Sequence, residues 1–229
     1  MISPRLSTER GHFNHGWLDT FHTFSFGDYI DPRHMGYRSL RVINEDVIQP
    51  GRGFPMHAHH DMEILTYIIS GSLAHRDDMG NGSSIEAGQM QRMSAGRGVR
   101  HSEFNPSESD PAHLLQIWIR PKALGASPSY ETRSFDSEGT KLVASRDGRA
   151  GSLTLLQDVE IHKIDVAAGG RAAYDLQPER HAWLQVVSGD VTVDGQTRLS
   201  AGDGAAVERQ AFIELRSDQG VEVLLFDLA

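Results

Sequence analysis

Two short pairs in this chain carry donor groups at strand spacing: His57-Ala58-His59 and His101-Ser102-Glu103. Side chains at i and i+2 of a β-strand point to the same face, so each pair presents two donors on one side. Three imidazoles and a carboxylate can then meet at one metal ion. Such donors suit iron, manganese, nickel, copper or zinc. The chain has no cysteine, which excludes thiolate metal sites, disulfides and cysteine nucleophiles. Four protein ligands close a tetrahedral zinc site, but on an ion that prefers six they leave about two positions for water, dioxygen or a substrate oxygen. One carboxylate on a divalent ion leaves a charge of about +1, which favours an anionic substrate oxygen.

The elements that must position these pairs read as short strands between turns. Leu40–Ile48 is a strand, followed by the turn Gln49-Pro50-Gly51-Arg52-Gly53. Residues 64–69 are large and β-branched and end at Gly71, as a buried strand does. A second run covers residues 72–75, and a polar connection through Asp77-Asp78 and Gly80-Asn81-Gly82 leads to Ile85 and Met90. Gly96-Arg97-Gly98 presents His101, and residues 114–119 form the last strand of this half. Carrying the period of two onward from His59 places Asp61, Glu63 and Leu65 nominally on the donor face. Before the first pair, residues 23–26 alternate apolar with small polar side chains, which predicts a half-buried strand closed by the turn Asp31-Pro32. His12, His15, His22 and His34 form no i, i+2 pair and read as surface or hydrogen-bonded residues, and the methionines read as packing.

The second half repeats the first in outline. Tyr67-Ile68-Ile69-Ser70-Gly71-Ser72-Leu73 parallels Gln185-Val186-Val187-Ser188-Gly189-Asp190-Val191, and Ile85-Glu86-Ala87-Gly88 parallels Leu199-Ser200-Ala201-Gly202. A repeat of this kind implies a second β-barrel of the same topology. Mapped through it, His57 and His59 fall on Asp175 and Gln177, His101 on Leu215 and Glu63 on His181, so the second barrel is expected to lack a metal. Residues 122–147 turn to Pro, Gly, Ser and charge and read as the connection. The division is an N-terminal metal-binding barrel with its connector over residues 1–143 and a C-terminal barrel lacking ligands over residues 144–229.

The chain has 229 residues, 38% of them hydrophobic and 23% charged, with a formal charge of −9. Its length and composition fit one or two globular domains rather than a disordered chain. No Lys/Arg run stands out, which disfavours direct nucleic-acid binding. No apolar run approaches the ~20 residues needed to span a bilayer. The first ten residues lack a signal-peptide core, so the expected location is cytoplasmic.

Gly51 precedes the His-x-His pair, Glu63 follows it, and Gly71, Gly88, Gly96, His101 and Asn105 come after in that order. This resembles the general cupin pattern. Narrower likeness lies in residues 22–29 (HTFSFGDY) with 40–48 (LRVINEDVI), in 71–82 (GSLAHRDDMGNG) and in 93–105 (MSAGRGVRHSEFN). On these the chain resembles the pirin family, in the bacterial branch associated with quercetin 2,3-dioxygenase activity, most strongly over residues 17–105. The resemblance implies an all-β fold of two tandem cupin (double-stranded β-helix, jelly-roll) barrels. It also implies one divalent transition metal per chain held by His57, His59, His101 and Glu103, Fe(II) first, with Cu, Ni, Mn, Co and Zn compatible. Many cupins use the carboxylate at Glu63 instead. Two carboxylates would leave the site nearly neutral, so Glu63 is expected behind the ligands, accepting a histidine N–H. The implied activity is dioxygenation of a flavonol such as quercetin with loss of carbon monoxide, with Glu103 accepting the hydroxyl proton. Flavonol and dioxygen are then the partners, without nucleic acid or membrane. The alternative is a non-enzymatic, metal- or redox-responsive regulator acting through a protein partner, the role associated with eukaryotic pirins.

Overall fold

Period-two patterning passes into antiparallel strands throughout the chain. The computed structural model describes residues 1–135 and 139–229, and its only helices among them are the single 3-10 turns Ser7–Glu9 and Arg149–Gly151. The chain divides into two compact units, one formed by Gly11–Phe135 with Leu153–Gln157, the other by Met1–Arg10, Asp136–Ser152 and Asp158–Ala229. Residue 143 lies within the strand Gly139–Ser145, which pairs with Val159–Val166. The first strand, Ile2–Arg5, pairs with Gly204–Val207, which covers an otherwise open edge. Of the connection over residues 122–147, Ser129–Ser134 forms a strand on Gln89–Ser94, and residues 136–138 lie outside the described residues.

In the N-terminal unit a seven-stranded sheet runs in the order Ser129–Ser134, Gln89–Ser94, Glu63–Ser70, Ala112–Ile119, Leu40–Ile48, Leu18–His22, Gly11–Asn14. A second sheet of four strands has the order Gly53–His59, Val99–Phe104, Ser72–Asp77, Gly82–Glu86. The register aligns inward side chains into rows. Ile48, Ile68, Leu73, Ile85, Ala112 and Leu114 form an apolar plug at one end. One level nearer the other end, Asn44 stands opposite Gln116, Gln116 opposite Thr66, and Thr66 opposite Gln91. All four are buried.

The expected strand over residues 23–26 is not formed; the strand is Leu18–His22. Beyond it the backbone is taken up locally, because Ser25 donates from its hydroxyl to the Asp31 carbonyl and accepts from the Asp31 N–H at 2.9 and 2.8 Å. A hydroxyl that closes a turn competes with the ladder for those groups.

Candidate metal centre

Gly53–His59 lies beside Val99–Phe104, with His101 opposite His57 and Glu103 opposite Phe54. Ser102 alone on one strand therefore faces both Pro55 and Met56 on the other, a β-bulge. Pro55 has no N–H to withhold from the ladder, so the interruption costs little there. At Gly53 an added Cβ would stand 2.1 Å from the Glu103 carbonyl oxygen, so the close approach requires glycine. The bulge turns the His57 ring back on its own strand, where Nδ1 donates to the Pro55 carbonyl at 2.8 Å. A carbonyl only accepts, so the Nε2 of a neutral His57 keeps its lone pair.

The rings of His57, His59 and His101 lie with centroids 4.4 to 5.0 Å apart. One donor atom from each falls within 4.8 Å of the others. Burial first, then the neighbouring imidazoles, hold His101 down to about 2 and His59 down to about 4. Both are neutral at pH 7, the form that binds a metal.

His101 is oriented from behind. Its Nδ1 lies 3.4 Å from Nδ1 of His75, whose Nε2 lies 3.4 Å from Oδ2 of Asp77. Burial alone would raise the Asp77 pKa, but hydrogen bonds led by the Asn81 side chain and N–H outweigh it and keep the carboxyl below its usual range. An ionised carboxylate only accepts, so His75 donates from Nε2 and accepts at Nδ1, and His101 donates from Nδ1. That leaves the Nε2 lone pair of His101, a buried atom with no protein partner. The imidazoles of His57 and His59 beside such an atom fit a divalent transition metal.

Glu103 sits one level deeper, 2% exposed, and its carboxylate is bound by the polar row. Gln91 Nε2 and Thr66 Oγ1 donate to Oε1 at 2.6 and 3.3 Å, and Gln116 Nε2 donates to Oε2 at 2.7 Å. Burial pushes its pKa up to about 7, against those bonds and with Asp46 adding to the rise. In position it groups with His75 and His101 rather than with all three expected histidine ligands. The expected four donors thus fall into two overlapping clusters that share His101, the second completed by His75.

Glu63 does not orient a histidine. It accepts from Ser94 Oγ at 2.8 Å and from the Leu156 N–H at 3.2 Å, and burial raises its pKa. The reason is local. Asp61, between the two strands, has φ +49°, so the period of two does not run on from His59. Ile64, not Glu63, faces the cavity.

Sequence reasoning also missed His75, Asp77 and Tyr130. His75-Arg76-Asp77 is itself an i, i+2 pair on the strand Ser72–Asp77, and the rule applied to His57 and His59 would have found it. Tyr130 stacks on His75 at 4.5 Å and 19°, and its hydroxyl donates to Gln91 Oε1 at 2.9 Å. Nothing local marks it, because it sits in the stretch that reads as connector.

The histidines and Glu103 line a cavity of ≈ 390 Å³ whose other walls include Phe26, Phe54, Ile64 and Trp118. Trp118 packs edge-on to both His59 and Phe26, at 5.0 and 5.2 Å.

Compared with known protein families, residues 4–119 match the family described as Pirin, and residues 142–228 match the one described as Quercetinase C-terminal cupin domain. The chain belongs to the pirin family. This pirin is 49% identical over its whole length to a protein of Escherichia coli K12 named quercetin 2,3-dioxygenase, covering 99% of it. It is 38% identical to a pirin-like protein of Caulobacter vibrioides, with each chain fully covered. Among solved structures, the E. coli pirin YhhW in complex with nickel(II) superposes with a TM-score of 0.97 at 48% identity, covering all of this chain and 99% of that one. The fold is all-β with two cupin domains, and the chain is a quercetin 2,3-dioxygenase-like member of the family.

Proposed function

We propose that this pirin is a metal-dependent dioxygenase that adds both atoms of dioxygen to a flavonol such as quercetin, breaking the C2–C3 and C3–C4 bonds and releasing C3 as carbon monoxide. The observation that carries the reading is the meeting of three imidazoles, one with an unpartnered buried Nε2, at the wall of an aromatic-lined cavity beside a buried carboxyl. His57, His59 and His101 would hold the ion, and Glu103 would complete the set. Fe(II) is the ion we assign. When bound, such an ion supplies a Lewis acid for the substrate's oxygens and a redox partner for dioxygen.

The chain's own residues do the rest. Phe26, Phe54 and Trp118 hold a flat aromatic ring and exclude water from it. Glu103 takes the proton of the 3-hydroxyl at a carboxylate oxygen. Gln91, Thr66 and Gln116 donate to that carboxylate and keep it in place. His57 and His101 are each held at Nδ1, by Pro55 and His75, so that Nε2 faces outward from its support.

The test is anaerobic reconstitution with Fe(II), and in parallel with Ni(II), followed by quercetin and dioxygen. Equimolar loss of flavonol and oxygen with release of carbon monoxide is expected. One metal bound per chain without flavonol loss under either ion would overturn the reading.

A further inference from the structure

The polar row that holds Glu103, together with Asp46 beside it, also carries hydrogen-bonding atoms that nothing in the protein answers. Asn44 Oδ1, Asp46 Oδ1 and Gln116 Oε1 are all buried without a protein partner. The three residues are 4%, 3% and 8% exposed. Gln116 is fixed in orientation, because its Nε2 is spent on Glu103, so Oε1 is the end left over. Asn44 and Asp46 share one face of Leu40–Ile48 by their spacing, and Asn44 is the direct cross-strand neighbour of Gln116. All three line the cavity of the metal centre. Asn44 and Asp46, with Phe26 and Phe54, also line a second cavity of ≈ 180 Å³. Leaving such groups unanswered costs free energy that a ligand can recover.

We infer that Asn44, Asp46 and Gln116 form a wall that reads ring hydroxyl groups of the bound aromatic compound and sets which hydroxylation patterns it accepts. It rests on the aromatic-substrate reading above and specifies it further. The neighbouring walls, Phe26, Phe54, Ile64 and Trp118, bind any aromatic ring and cannot discriminate. A hydroxyl both donates and accepts, so it answers an amide carbonyl, and it answers Asp46 in either protonation state. An ether or a bare ring cannot donate. A site built to bond a hydroxyl rejects the analogue lacking it far more strongly than an apolar pocket can reject an extra one.

The test uses the metal-loaded protein without oxygen, so that binding is read without turnover. Dissociation constants are measured for quercetin and for its analogues with one and with no hydroxyl on the pendant ring. Affinity should fall along that series by about tenfold or more. Asn44→Leu and Asp46→Leu should flatten the series, while Asp46→Asn, which keeps an oxygen at the position, should preserve it. Equal affinity across the series, or leucine variants that weaken every member alike with the order intact, would overturn the inference. The wild-type series decides even if a leucine variant fails to fold. A fragment arm separates this inference from the flavonol reading: catechol and 1,2-dimethoxybenzene are compared by ligand-observed NMR. Catechol binding that depends on Asn44 and Asp46, with no flavonol bound or consumed, leaves the wall standing and removes the flavonol. Flavonol turnover without any dependence on pendant hydroxyls, and catechol no better than its dimethyl ether, removes the wall and leaves the activity.

Discussion

In the N-terminal barrel Asn44, Gln116, Thr66 and Gln91 form a row across four strands. The corresponding row of the C-terminal barrel is His162, Leu225, Leu184 and Ala205. The register is the same, Thr66 opposite Gln91 and Leu184 opposite Ala205, but the second interior is filled by a core that includes Leu184, Leu215 and Leu225. Towards its mouth, where the first barrel places Trp118 opposite Ile64, the second places Asp227 opposite Ala182. There Arg180 donates to both Asp227 and, at 3.0 Å, Asp158, and Tyr174 donates its hydroxyl to Asp227 at 2.7 Å. The polar groups at that mouth bond one another, whereas those of the first barrel keep lone pairs facing a cavity. One scaffold thus carries an open cavity when inward polar atoms outnumber their protein partners, and a packed core when they do not.

The comparison breaks first at the histidines. Replacing His57, His59 or His101 singly by Ala is expected to weaken metal binding by more than about 100-fold, beyond what an orienting group typically contributes. Metal analysis after reconstitution checks this, and full occupancy after any two such changes would remove the assignment. Next, Glu103→Gln should lower flavonol turnover about 10²- to 10⁴-fold, the range for loss of a general base. Glu63→Gln should leave metal content and turnover near wild type, since its partners are Ser94 and Leu156. The reverse order would mean that the chain uses the general cupin carboxylate.

In the C-terminal barrel Asp227→Ala strips Arg180 and Tyr174 of a shared acceptor. A loss of about 2–4 kcal/mol of stability is expected, read by urea unfolding, with metal stoichiometry unchanged. A fall in metal content without loss of stability would contradict the separation of roles. His75→Leu should weaken metal binding about 10–100-fold, and His75→Gln, which can still accept from His101 Nδ1, should restore part of it. If the two variants match, His75 only packs.

The smallest expected effect is on pH dependence. Burial pushes the Asp46 carboxyl up to about 7, against a hydrogen bond from Thr20. In the unfolded chain an aspartate titrates near ~4. The folded metal-free protein therefore holds more protons between about pH 4 and 7, and this contribution is present in full below pH ~4 and lost as pH rises through 7. Asp46→Asn should flatten that decline relative to wild type when urea midpoints are compared at pH 5 and 8. A steeper decline in the variant would show that Asp46 is stabilised as the anion.

Much of the first barrel is legible because strands advertise themselves by period and the ligand pairs obey the same period. Leu40–Ile48 has the expected bounds, and His57, His59 and His101 meet as their spacing suggests. Glu63 misled because the period is interrupted by one left-handed residue, Asp61, which no alternation pattern signals. Thr66 and Gln116 are polar residues within apolar runs, and Gln91 stands in a strand of mixed composition, so none of the three is marked by the sequence around it.

By itself the sequence determined which residue types could bind a metal, that they lie on strands, and that the second half repeats the first without those donors. Short-range geometry suffices for this, since strand periodicity and turn chemistry act over a few residues. Only the tertiary structure decided what those donors face. Cross-strand register aligned Asn44, Gln116, Thr66 and Gln91 from four separate strands, and only then did Glu103 acquire its three donors. The bulge at Pro55 and the His75–Asp77 support behind His101 likewise depend on pairing between residues far apart in the chain. Which lone pair is held by the protein and which is left for a ligand follows from those long-range pairings, and no local pattern encodes it.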